Sequence, residues 1–143
     1  MTYLLDTCVL SELVKPTPDV NVLTWLKSRR ADELYISAMT VGELKRGIYK
    51  LPESRRRLDL STWLEQTIAG FEDRILPFDI RVSEAWTIMT SQAEMTGRPM
   101  PAFASIIAST AYAHRCTLVT RNVRDFTGAS IDLINPWNSD GQR

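Results

Sequence analysis

Three acidic residues stand where carboxylates can do chemistry: Asp6, Glu43 and Asp125. Asp6 closes the apolar run Tyr3-Leu4-Leu5. Glu43 lies in Ala38-Met39-Thr40-Val41-Gly42-Glu43-Leu44, and Asp125 in Thr120-Arg121-Asn122-Val123-Arg124-Asp125-Phe126. Each has an ordinary explanation when taken singly. Asp is a favoured helix N-cap, Thr40 and Glu43 have the S/T-x-x-E spacing of a capping box, and an Asp in a polar loop is commonly a turn residue. Drawn to one edge of a fold, however, three carboxylates would repel one another and raise each other's pKa unless a cation neutralised them. Hard oxygen donors of this kind suit Mg²⁺ or Mn²⁺. Such ions make a nucleophile of water and stabilise in-line displacement at phosphorus.

The elements that must position these acids are legible as a pattern. Five short apolar runs read as strands: Tyr3–Leu5, Leu34–Ile36, Ile75–Leu76, Thr117–Val119 and Ile131–Leu133. They lack clean alternation, as strands covered on both faces do. Leu60, Trp63, Leu64, Thr67, Ile68 and Phe71 recur at helical spacing and predict a helix over 54–71. Similar patterns predict helices over 80–95 and 102–115, and weaker ones over 8–14, 20–29 and 40–50. Strands alternating with helices imply an α/β sandwich around a mostly parallel five-stranded sheet. In such sheets ligands sit outside the carboxyl ends of the strands, which points to Asp6 and to the segment 120–125.

Composition narrows the classes. The chain has 143 residues, 44% hydrophobic and 24% charged, with 17 basic and 17 acidic side chains. That predicts one ordered domain, taken as 1–137, with a polar tail over 138–143. With no net charge, a polyanion must be met by a local patch. Cys8, Cys116 and His114, the single histidine, have no zinc spacing. No secretory leader or membrane span is read, and a reducing cytoplasm is the expected setting.

Four ordered motifs resemble those of PIN-domain ribonucleases. The first is Tyr3-Leu4-Leu5-Asp6-Thr7-Cys8-Val9-Leu10-Ser11-Glu12-Leu13, and the second is Ile36-Ser37-Ala38-Met39-Thr40-Val41-Gly42-Glu43-Leu44. The third is Pro101-Ala102-Phe103-Ala104-Ser105-Ile106-Ile107-Ala108-Ser109-Thr110-Ala111, and the fourth is Leu118-Val119-Thr120-Arg121-Asn122-Val123-Arg124-Asp125-Phe126. The ending Ile134-Asn135-Pro136-Trp137 is also similar. The likeness spans essentially the whole chain and is strongest to the VapC toxins of bacterial toxin–antitoxin pairs, including their Fit-type branch. It implies a PIN-domain α/β/α sandwich and Mg²⁺- or Mn²⁺-dependent endoribonuclease activity on structured RNA, often a tRNA. It also implies a homodimer, extending to a larger hetero-oligomer with a cognate VapB-like antitoxin, with DNA reached only through that antitoxin. Asp6, Glu43, position 104 and Asp125 fall at the metal-ligand positions. Thr7, Thr120 and Asn122 fall where water, metal or a phosphate oxygen is oriented.

The departure is Ala104, where the family pattern has Asp. The change removes a direct metal ligand and predicts weak ion binding and reduced cleavage. An active toxin kills its expression host, so an engineered Asp→Ala inactivation is the expected origin, with a natural pseudoenzyme as the lesser option. A non-cleaving module that binds RNA or antitoxin in a regulatory complex is the alternative function. A haloacid-dehalogenase-like phosphatase would need a second Asp two residues after Asp6, where Cys8 stands. A receiver domain would need an acidic pair there. For substrate, Arg55, Arg56, Arg57, Arg121 and Arg124 are the candidate RNA contacts, with a solvated helix face or an antitoxin contact as alternatives for the first three. The helices over 20–29 and 54–71 offer apolar surface for the dimer or antitoxin contact. His114, in line with Phe103, Ile107 and Ala111, reads as a structural histidine.

Overall fold

The computed structural model describes residues 1–138, so most of the expected polar tail lies outside the described residues. Five strands form one sheet: β1 (Tyr3–Leu5), β2 (Leu34–Ser37), β3 (Ile75–Leu76), β4 (Thr117–Val119) and β5 (Leu133–Ile134). Their order is β3-β2-β1-β4-β5, and every neighbouring pair is parallel, so the sheet is wholly rather than mostly parallel. Among the described residues, six α-helices connect and cover it: α1 (Thr7–Glu12), α2 (Val20–Lys27), α3 (Ala38–Tyr49), α4 (Arg55–Phe71), α5 (Ile80–Met95) and α6 (Ala102–Ala113).

Alternation along β1 divides the core. Leu4 faces α6 and joins Ile107, Ala108, Ala111, Leu118 and Phe126. Tyr3 and Leu5 face the other way and join Val9, Leu10, Val22, Ile36, Leu44 and Leu64 from β2 and α1 to α4. Each short strand therefore buries both faces, which is why its sequence shows a plain apolar run. Leu118 is fully buried at the middle of this arrangement. Leu118→Ala is expected to lower unfolding stability by about 3 kcal/mol, read from the midpoint of urea denaturation.

Two sequence expectations need correction. The last strand is Leu133–Ile134, not Ile131–Leu133, because those two residues pair with Leu118 and Val119. Ile131 instead packs from outside the strand against the α6 side of the core. The capping box fails too. α3 begins at Ala38, directly after β2, and Ser37 caps it by accepting from the Met39 N–H at 3.0 Å. Thr40 is already inside the helix and fully buried, where its hydroxyl meets that of Thr7 at 3.2 Å. That contact ties α3 to α1 and frees Glu43 from any capping duty.

Candidate active site

β1 and β4 lie side by side where the connectivity turns from one half of the sheet to the other. Such a switch point leaves a crevice at the carboxyl ends of the strands. Asp6 occupies it. Its N–H donates to the Val119 carbonyl at 2.9 Å, so the sheet itself fixes the residue. Oδ1 accepts from the Thr7 N–H at 2.9 Å and caps α1, while Oδ2 accepts from the Thr120 hydroxyl at 2.8 Å. The capping explanation and the crevice explanation thus hold together for one carboxylate. Thr120 also accepts from the Asn122 N–H at 3.0 Å, which folds the fourth motif back over Asp6.

The other acids arrive from separate elements. Glu43 sits one turn beyond Thr40 on α3 and is exposed. Asp125 lies in a single 3-10 turn over Val123–Phe126, anchored by the buried Phe126 ring. Asp6, Glu43, Ala104, Asn122 and Asp125 all line one cleft of about 450 Å³. Asp6 is only 6% exposed, and this burial pushes its carboxyl pKa up. The Thr120 and Thr7 hydrogen bonds oppose that shift, and the charges of Glu43 and Asp125 add to it.

α6 completes the wall. Its first turn places Ala104 at the cleft, while Ala108, one turn on, is fully buried in the core. A methyl group therefore stands where a fourth side chain would enter. Among the described residues, no group of three Asp, Glu, His or Cys side chains gathers tightly enough to hold a metal ion. The donors have the right hardness for a divalent ion, but the set present does not close around one, so these residues do not fit the cation as they stand.

Cys8 and Ser11 also line the cleft, and neither was assigned a role from sequence. Burial and the Asp6 charge push the Cys8 thiol up, so it remains protonated near neutrality and is a poor nucleophile. His114 caps the far end of α6, away from Ala104. Burial and the Arg81 charge push its imidazole down. The basic candidates scatter. Arg55 pairs with Asp59 and Arg57 lies over the Tyr49 ring, both at the start of α4, with Arg56 exposed between them. Arg121 lies over Trp137. None of these four lines the cleft, whereas Arg124 lines a groove that adjoins it. Trp25 packs edge-on against Tyr3, so that face of α2 belongs to the core.

The raised Asp6 pKa has a consequence for stability. Well below pH 4 the carboxyl is protonated in the folded and unfolded chain alike, and its burial costs little. As pH rises past the unfolded value the cost grows, and it is complete once pH exceeds the raised folded value. Thermal unfolding of this chain and of Asp6→Asn is therefore expected to converge in acid and to separate toward neutrality, with Asp6→Asn the more stable. Parallel melting curves across that range check the direction.

Comparison with known proteins places this geometry in context. The model of the PIN domain matches residues 3–129. The VapC ribonuclease Y4jK of Sinorhizobium fredii is 38% identical over 134 residues, covering 93% of this chain and 96% of that protein. Toxin FitB of Neisseria gonorrhoeae is 38% identical over 136 residues, covering 94% of this chain and 98% of that protein. Among solved structures, FitAB bound to an IR36 DNA fragment superposes with a TM-score of 0.91 at 36% identity, over 96% of each chain.

Proposed function

Because this chain belongs to the PIN-domain family, and within it to the VapC and FitB toxins, we propose that its cleft is built for metal-dependent hydrolysis of RNA and is impaired at Ala104. The observation that carries the reading is the meeting of Asp6, Glu43 and Asp125 at one cleft whose α6 wall is an alanine. The name of the Sinorhizobium relative, a ribonuclease, supports the reaction class. With an acidic side chain at 104, four carboxylates would border the cleft, and Mg²⁺ or Mn²⁺ bound there would activate water and offset charge on the scissile phosphate.

The chain's own residues prepare that chemistry. Thr120 aims Oδ2 of Asp6 and holds Asn122 beside it. Asn122 lines the cleft, where its side-chain amide can donate to a phosphate oxygen. Structured RNA, tRNA foremost, is the proposed substrate. A VapB-like antitoxin is the proposed partner, supported by a neighbouring structure that is a FitAB complex on DNA. Within that assembly the toxin pairs as a homodimer in the cytoplasm, and the antitoxin alone touches DNA.

Ala104 is read as an inactivating replacement of a natural aspartate, and an alanine codon in the source gene would overturn that origin. For the chain as it stands, the missing wall ligand favours binding of RNA or antitoxin without cutting. The test is made in cells. The Ala104→Asp form is induced beside this chain, and RNA ends are sequenced from both cultures. New ends concentrated in structured RNA are expected only with Ala104→Asp, and identical end profiles would sink the reading.

A further inference from the structure

A second groove opens beside the carboxylate cleft. It encloses about 260 Å³ and shares Pro101 and Asp125 with the cleft, so the two form one continuous surface. Arg98 and Arg124 both line it, although they come from opposite sides of the third motif.

The fold places Arg98 firmly. Gly97, at φ 74°, turns the chain after α5, a conformation glycine adopts without steric cost. The Arg98 N–H then donates back to the Ala93 carbonyl at 2.9 Å and closes the helix end. Pro99 and Pro101 stiffen the short path from there to α6. The same rigid connection therefore carries Arg98 to the groove and Ala104 to the cleft. Arg124 is set by the 3-10 turn that also presents Asp125, between the core contacts of Val123 and Phe126.

Among the described residues, neither guanidinium has a partner of its own. Arg29, Arg30, Arg55, Arg57, Arg74 and Arg121 each engage a carboxylate, a carbonyl, a hydroxyl or an aromatic ring. Arg98 and Arg124 make no side-chain hydrogen bond, ion pair or ring contact among the described residues. Arg46, Arg56 and Arg115 share that state but line neither the cleft nor the groove, so position singles out this pair. Two unpaired cations facing one groove repel each other, and an anion between them relieves the repulsion. The planar guanidinium fork matches the oxygens of a phosphate.

We infer that Arg98 and Arg124 together hold a backbone phosphate of an RNA strand next to the phosphate presented at the carboxylate cleft, and so set the path by which the strand leaves the site. This rests on the reading that the cleft takes RNA. A strand with one phosphate at the cleft necessarily brings the next to its rim, since the charge recurs at every nucleotide. An acidic peptide is under no such constraint.

The test uses the purified chain and a short fluorescein-labelled single-stranded RNA of mixed sequence, with binding followed by anisotropy across a salt series. Arg98→Gln and Arg124→Gln are each expected to weaken binding about five- to tenfold at low salt. Each should also flatten the dependence of log Kd on log salt by about 0.7, the loss of one phosphate contact. The double variant should lose little beyond either single one, because both arginines meet the same phosphate. Arg98→Lys should keep the salt slope while losing part of the affinity. Arg115→Gln, near the amino end of β4, should change neither quantity, and melting curves confirm that each variant is folded.

Unchanged affinity and slope in both glutamine variants would overturn the inference. So would absence of RNA binding by the unaltered chain, or a loss seen only with a labelled acidic peptide tested in parallel. The two readings separate cleanly. Restored cutting by Ala104→Asp alongside indifferent arginine variants removes this subsite alone. Arginine-dependent RNA binding without any cutting by Ala104→Asp removes the nuclease reading alone.

Discussion

Ala104→Asp is expected to raise metal-dependent RNA cleavage by at least about a hundredfold, because it supplies a direct ligand where loss of even supporting groups typically costs ten- to a hundredfold. The site is ready to receive it. Ala104 is 7% exposed, sits in the first turn of α6 and already borders the same cleft as Asp6, Glu43 and Asp125. Ala104 belongs to the same buried cluster as Ile107 and Ala108 but, unlike them, also borders the hollow, so an acidic side chain there is expected to extend into it. The new charge also joins a carboxylate whose pKa is already pushed up, so the metal-free variant should melt below the parent. Mn²⁺ should reverse that order, since an ion that binds only the folded form stabilises it. Single-turnover cleavage of a labelled structured RNA, with and without chelator, measures the first effect, and melting with and without Mn²⁺ measures the second. An Ala104→Asp chain that neither cuts nor gains stability from Mn²⁺ would show that the three acids serve something other than an ion.

Adding Asp6→Asn to Ala104→Asp should abolish that gain, lowering cleavage by at least about a hundredfold, while raising the melting temperature of the metal-free protein. The opposite signs come from the same atoms. An amide oxygen can still accept from the Thr7 N–H, and the amide nitrogen can donate to the Thr120 hydroxyl, so the cap and the link to β4 survive. The buried charge and its repulsion from Glu43 and Asp125 disappear. A carboxamide nitrogen, however, is not a ligand for a hard divalent ion. Activity and stability exchanged in this way mark a site whose strain serves its chemistry. A double variant that loses both together would point instead to a purely structural Asp6.

Much of this arrangement was legible in the linear chain. Apolar runs bounded by turns located all five strands, four of them within one residue, because strands buried on both faces must be apolar throughout. The fifth was displaced because Ile131, Leu133 and Ile134 are all apolar, and only pairing with β4 selects among them. Glu43 illustrates the converse. Its spacing from Thr40 fits a cap perfectly well, and local pattern had no means of showing that Ser37 takes that role while Thr40 turns inward to Thr7. The Thr120 link to Asp6 joins residues from the two ends of the chain, so no window of sequence contains it.

By itself the sequence determined the α/β class, the acids worth watching and the alanine that interrupts the third motif, since residue type and local periodicity decide those things. Only the tertiary structure decided which acid is buried, how Thr120 aims it, and that Arg98 and Arg124 share a groove beside the cleft. Burial and charge pairing are properties of neighbours in space. Those neighbours are chosen by the packing of α6 and β4 against β1, not by distance along the chain.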